Sequence, residues 1–174
     1  MKLQTTLKLS NANLRREKAG EGDGPLATDL KFTGQLHLKS VRSFVDDHAF
    51  ALLEGLYNSE GELRTTDYET LKLKREIVGA KLELKADLTD QLDLENDELR
   101  TPMKFDGDVN NITLTPAQGR QVEISMRVQV HPSENQLARI GHLLNADVKL
   151  TLSGGLVKAD EPEEEEEEEE EAGA

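Results

Sequence analysis

Asp29-Leu30-Lys31-Phe32-Thr33-Gly34-Gln35-Leu36-His37-Leu38-Lys39 alternates without a break. Leu30, Phe32, Gly34, Leu36 and Leu38 fall on one side; Asp29, Lys31, Thr33, Gln35, His37 and Lys39 fall on the other. A period of two puts successive side chains on opposite faces of a strand, so this stretch predicts a strand with one buried face. Residues 2–9 repeat the pattern with Leu3, Thr5, Leu7 and Leu9, and residues 121–130 repeat it with Val122, Ile124, Met126, Val128 and Val130. Shorter strands are expected at 70–77, 81–88, 103–109 and 111–114, and Val148, Leu150 and Leu152 supply a last one.

Two segments switch to helical spacing. After Ser40, a plausible N-cap, the stripe runs through Val41, Phe44, Val45, Ala49, Leu52, Leu53 and Leu56 and ends at Asn58-Ser59-Glu60-Gly61. The second helix opens on Ser133-Glu134-Asn135-Gln136, a capping box, and carries Leu137, Ile140, Leu143 and Leu144. Residues 11–27 concentrate glycine, proline and charge and read as a long flexible loop. The fold class is therefore α+β and β-dominated: an antiparallel sheet curled into a barrel or sandwich, with two helices at its ends or on one face. The strand–helix units at 29–58 and 121–145 hint at an internal pseudo-repeat.

The net charge of −14 divides unevenly along the 174 residues. Asp160, Glu161 and the nine glutamates from Glu163 through Glu167 to Glu171 supply 11 of the 35 acidic residues, leaving 24 acids against 21 Lys and Arg in residues 1–159. The body is nearly neutral, and the acidic run has nothing apolar to bury, so residues 154–174 are expected to form a linker and a disordered tail behind one domain spanning 1–153. Cysteine is absent, which removes disulfides, thiolate metal sites and a catalytic thiol. With no apolar leader and no apolar run of spanning length, a cytoplasmic protein without membrane contact is expected, in host cytoplasm if the chain is viral.

Chemical motifs are scarce. Leu152-Ser153-Gly154-Gly155 lacks the first glycine of a nucleophile elbow, and Gly20, Gly22 and Gly24 follow a charged segment instead of a strand that opens into a helix. Asp106, Asp108 and Asn110 open like a calcium loop, but Asn111 and Ala117 stand where glycine and a bidentate glutamate are needed, so a hairpin turn is expected. Asp46-Asp47-His48 diverge around a helix, and Asp90, Asp93, Glu95, Asp97 and Glu98 read as a solvated edge. The four histidines lie far apart in sequence. No catalytic residue, metal or cofactor is expected, and the reading is a non-enzymatic binding protein.

Nucleic acid is the partner the outward positions favour. Lys31, Gln35, His37, Lys39, Arg127 and Gln129 lie on the outward sides of the two best strands, and Lys72, Lys74, Arg75, Lys81 and Lys85 on those of the middle strands. If these faces adjoin they form a basic, hydrogen-bonding groove, over which Arg15, Arg16 and Lys18 could close. Phe32, Phe44 and Phe50 read as core, leaving Tyr57, Tyr68 and Phe105 as candidate stacking platforms.

A compact domain followed by Gly154-Gly155-Leu156-Val157-Lys158-Ala159 and a glutamate run resembles the layout of bacterial and phage single-stranded DNA-binding proteins. The resemblance implies single-stranded DNA as partner and a tail that modulates binding and recruits other proteins. This chain departs from it by ending Glu171-Ala172-Gly173-Ala174, without a hydrophobic terminus. Residues 29–38 and 119–144 also look like small proteins of early phage gene clusters, which implies an accessory role in replication or recombination. The alternative is a protein-binding inhibitor whose acidic tail imitates DNA in the basic channel of a host nuclease or other DNA-processing protein.

Overall fold

The structure is a computed structural model and describes residues 2–19, 22–43, 45–87 and 101–159. Its strands are β1 (Lys2–Ala19), β2 (Gly22–His37), β3 (Leu71–Leu73), β4 (Arg75–Ala86), β5 (Met103–Ala117), β6 (Gln121–Val130) and β7 (Asp147–Ala159). Its helices are α1 (Leu38–Val41), α2 (Asp47–Gly55) and α3 (Glu134–Leu143). Every strand pairing is antiparallel, and the order β1-β2-β6-β5-β4-β7 returns from β7 to β1, closing a six-stranded barrel to which β3 is added beside β5. The expected β-dominated α+β fold with a curled antiparallel sheet is what the chain adopts.

Alternation explains the core. Leu3, Leu7, Leu30, Phe32, Leu36, Leu82, Leu84, Val122, Ile124, Met126, Val128, Leu150 and Leu152 all point into the barrel and are buried. A fully buried leucine or phenylalanine contributes roughly 1.5–3 kcal/mol relative to exposure, so this ring of aliphatic side chains is the main stabilising term. Gly34 sits inward because Leu7 occupies the space: a Cβ there would lie 2.7 Å from Leu7 Cδ2.

The helices close the two ends. Leu38 and Val41 of α1 and Leu53 of α2 are buried at the end where β5 turns into β6, and Leu38 N–H donates to the Arg120 carbonyl at 2.8 Å. At the other end α3 buries Ile140 and Leu143, and its expected capping box is present, with Ser133 Oγ accepting from Gln136 N–H and Gln136 Oε1 accepting from Ser133 N–H. The chain order hairpin, helix, strand occurs twice. Exchanging β1 with β5, β2 with β6 and β4 with β7 converts every barrel pairing into another barrel pairing. The strand–helix pseudo-repeat thus has a counterpart in topology, with β3 outside it.

Several sequence expectations are corrected. Of residues 11–27, expected as a loop, 11–19 and 22–27 are strand: β1 and β2 continue as a paired arm, Asn11 opposite Lys31 out to Ala19 opposite Gly22. Residues 41–56 are not one helix, since Asp46 is a new N-cap, its carboxylate accepting from Ala49 N–H at 2.7 Å, and α2 starts there. Residues 106–111 are not a hairpin turn but part of one long β5, interrupted by a bulge at Asn111, whose φ of 51° an asparagine tolerates better than most residues. Residues 154–159, expected as linker, are strand: β7 runs on to Ala159, paired with Arg75. Gly155 is required in that strand, having φ 81° and a would-be Cβ 2.6 Å from Ile77 Cγ2. The side chain of Phe44, the acidic cluster from Asp90 to Glu98 and the tail from Asp160 lie outside the described residues.

Candidate nucleic-acid interface

The register assigns the outward side chains to faces. Across β1, β2, β6, β5 and β3 one row reads Lys8, Thr33, Ser125, Thr113, Lys72, each residue opposite the next. With strands roughly 4.8 Å apart, the row spans about 19 Å along the sheet. The row beside it reads Asn11, Lys31, Arg127, Asn110, and the row on its other side Gln35, Glu123, Thr115. Thr70 and Thr115 hydroxyls are 2.9 Å apart at the far corner. The bulge at Asn111 keeps Asn110 and Thr113 on one face. The result is a shallow trough floored by small hydroxyls, Thr33, Ser125, Thr113 and Thr115 among them, with the cationic Lys31–Arg127 row on one flank, Gln35 and the acid Glu123 on the other, and Lys8 and Lys72 at its ends.

Lys31 stands directly opposite Arg127, an arrangement that by itself destabilises a sheet. Asp29 partly offsets it: Arg127 Nη1 lies 3.8 Å and Arg15 Nε 3.1 Å from Asp29 Oδ2. Among the described residues the ammonium groups of Lys8, Lys31, Lys72 and Lys74 have no carboxylate within ion-pair distance. Lys74 and Arg75 share a shallow depression with Glu76, Asn110 and Arg127, and β3 adds Lys72 to this face opposite Thr113.

Of the residues expected to form a groove, Lys31, Lys72, Lys74 and Arg127 are brought together, with Arg75 at the margin, where its guanidinium pairs with the Asp46 carboxylate. The Ala49 N–H, and then Arg75, hold the Asp46 carboxyl below the usual aspartate range. His37 lies at the rim and caps α1, its Nδ1 accepting from Lys39 N–H at 3.2 Å; Lys39 is exposed on α1. Lys81 and Lys85 are elsewhere. They point out from β4 on the β5–β4–β7–β1 side, where Asp106 faces Lys81, Glu83 lies 3.8 Å from Lys104, and Asp87 lies 3.3 Å from Lys149 opposite Lys85. That side also pairs two cations, Lys85 opposite Lys149, but it holds Glu83, Asp87 and Asp106 among its lysines, whereas on the other side Asp29 is shared by Arg15 and Arg127 and Glu123 flanks the hydroxyl row.

Arg15 and Arg16 belong to the β1–β2 arm instead of a closing loop. Arg15 is held against Asp29 and Gln129, and Glu17 meets Gln129 and His131, so the arm leans on β6. The side chain of Lys18 lies outside the described residues. Tyr57 and Phe105 are buried and offer no stacking surface, which corrects that expectation; Tyr68 is half-buried. Tyr57 O–H donates to the Gln121 carbonyl at 2.6 Å, and burial raises its pKa. Sequence reasoning missed Lys8 and the hydroxyl floor, because threonine and serine on an outward strand position carry no signal until the strand order makes them neighbours.

Among the described residues no group of three or more His, Cys, Asp or Glu converges as a metal site, and no helix is long and apolar enough to cross a membrane. Comparison with protein-family models, curated proteins and solved structures finds no match to this chain.

Proposed function

We propose that this protein is a non-enzymatic binder of single-stranded nucleic acid, which lies across the β2–β6–β5–β3 face. The observation that carries the reading is the unbroken adjacency of Lys31 and Arg127 to a hydroxyl row ended by Lys8 and Lys72. Phosphates neutralise the cations and relieve the Lys31–Arg127 repulsion, while hydroxyls and Asn110 offer hydrogen bonds to sugar and base edges. Small floor residues let a backbone approach the sheet closely. With no exposed aromatic platform on this face, binding is mainly electrostatic and sequence-tolerant.

The test is a titration of the full chain with fluorescent single-stranded and duplex oligonucleotides over a salt series. The expected result is a linear fall of log affinity with log salt and tighter binding of the single strand. Absence of binding to either at low salt refutes the proposal and moves the choice to the protein-binding inhibitor.

A further inference from the structure

Beyond Ser153, β7 leaves β1 behind and keeps only β4 as a strand partner among the described residues, with Leu156 opposite Val78, Val157 opposite Ile77, Lys158 opposite Glu76 and Ala159 opposite Arg75. The register is regular along this stretch, so the path of β7 points along the chain that precedes Arg75, namely Lys74 and β3. β3 is hydrogen-bonded to β5 on one side, and among the described residues nothing pairs with its other edge. That uncovered edge lies in line with β7 and carries Lys72, with Lys74 next to it. The next residues in the chain are Asp160, Glu161, Pro162 and nine glutamates.

We infer that the acidic segment from Asp160 onward docks in cis over the β3 edge, engaging Lys72 and Lys74 first. Continued strand pairing is disfavoured: Pro162 has no N–H to give to a ladder, glutamate is a poor strand former, and the positions beside Leu71 and Leu73 would turn acids toward partly buried apolar side chains. The contact is therefore one of charge, held by the tether. A chain leaving the barrel at the residue opposite Arg75 presents its first acids to Lys74 and Lys72 at an effective concentration on the order of millimolar, well before it can reach the far side of the barrel. The occupied edge is also protected from pairing with a second chain. This inference rests on the register of β7 and stands independently of the nucleic-acid reading.

The test uses no nucleic acid. In the full-length chain, acylation rates of Lys72 and Lys74 are followed by mass spectrometry, with Lys81 and Lys85 on the opposite side as internal references. Docking predicts that Asp160→Asn with Glu161→Gln and all nine glutamates 163–171→Gln speeds Lys72 and Lys74 by about threefold or more at low salt, that Lys81 and Lys85 change by less than half as much, and that about 0.5 M salt removes the difference. The native chain alone supplies a second measurement, because salt should accelerate Lys72 and Lys74 relative to Lys81 and Lys85, independently of protein concentration. Equal changes at all four lysines, no change, or protection that disappears on dilution would each overturn docking in cis.

Discussion

Neutralising Lys31 and Arg127 is the perturbation that separates the proposed face from a merely cationic surface. Five cations, Lys8, Lys31, Lys72, Lys74 and Arg127, border the hydroxyl row. If each meets one phosphate of a single strand, the plot of log affinity against log salt has a slope of about −3.5, at roughly −0.7 per contact. The pair Lys31→Gln and Arg127→Gln then reduces the slope to about −2.1 and weakens binding about 25-fold at 0.1 M salt, with little effect near 1 M. Fluorescence anisotropy with a labelled single strand over a salt series reads both quantities. Stability should change little, since the substitution removes a like-charge cross-strand pair together with the longer of the two Asp29 contacts while Arg15 keeps its own, and thermal unfolding checks this. Lys81→Gln with Lys85→Gln, two charges lost from the β4 side away from the hydroxyl row, should leave the slope unchanged. If the two double variants lower the slope equally, the interface is a diffuse positive field and the reasoning fails.

Other consequences concern the scaffold and the tail. Neutralising the acids of residues 160–171 in the full chain should tighten oligonucleotide binding at low salt and leave it unaltered at high salt; an unchanged affinity at low salt would separate the tail from the binding face. Gly107→Ala should destabilise strongly, because its Cβ would stand 2.4 Å from the Gln129 carbonyl oxygen and force β5 off β6, whereas Gly119→Ala, with open space but φ 74°, should cost about 1–2 kcal/mol in chemical denaturation. Ser133→Ala should cost about 1 kcal/mol and fray the start of α3, visible as faster amide exchange there. The raised pKa of Tyr57 means that the unfolded chain ionises first, so its contribution to stability is intact below the ordinary tyrosine value of 10.0 and is lost as pH rises above it. Tyr57→Phe should flatten that alkaline decline relative to the native chain, and an unaltered pH profile would remove Tyr57 from this role.

The interior of the barrel was legible because alternation over residues 29–39 and 121–130 states which side chains are buried, and the Ser133 capping box states where α3 begins. The β1–β2 arm was not legible. A two-stranded ribbon beyond the barrel has no core to face, so residues 11–27 show no apolar alternation, and Leu14 and Leu26 remain exposed there. The break between α1 and α2 was hidden because Leu38, Val41 and Leu53 are all buried at the same barrel end, although Asp46 carried the cap signal. Gly154 and Gly155 read as linker, yet both adopt positive φ inside a strand. For the candidate site, outward positions could be read residue by residue, but faces depend on strand order. Lys31 and Lys85 look equivalent along the chain; only strand order shows that each faces a cation across its ladder, Lys31 in a row continued by Asn11 and Asn110, Lys85 beside a Lys149 that is paired with Asp87.

The position of β7 has a consequence for how the molecule is made. It fills the gap between β1 and β4, so a growing chain that has not yet delivered residues 147–159 holds two long strands with bare edges, one from its first residues and one from its middle. Closing the ring joins segments separated by nearly the whole chain, which makes folding slow and leaves those edges open to a neighbouring copy in the meantime. During synthesis, the strand that completes the barrel is therefore the one that ends its period of greatest risk of aggregation.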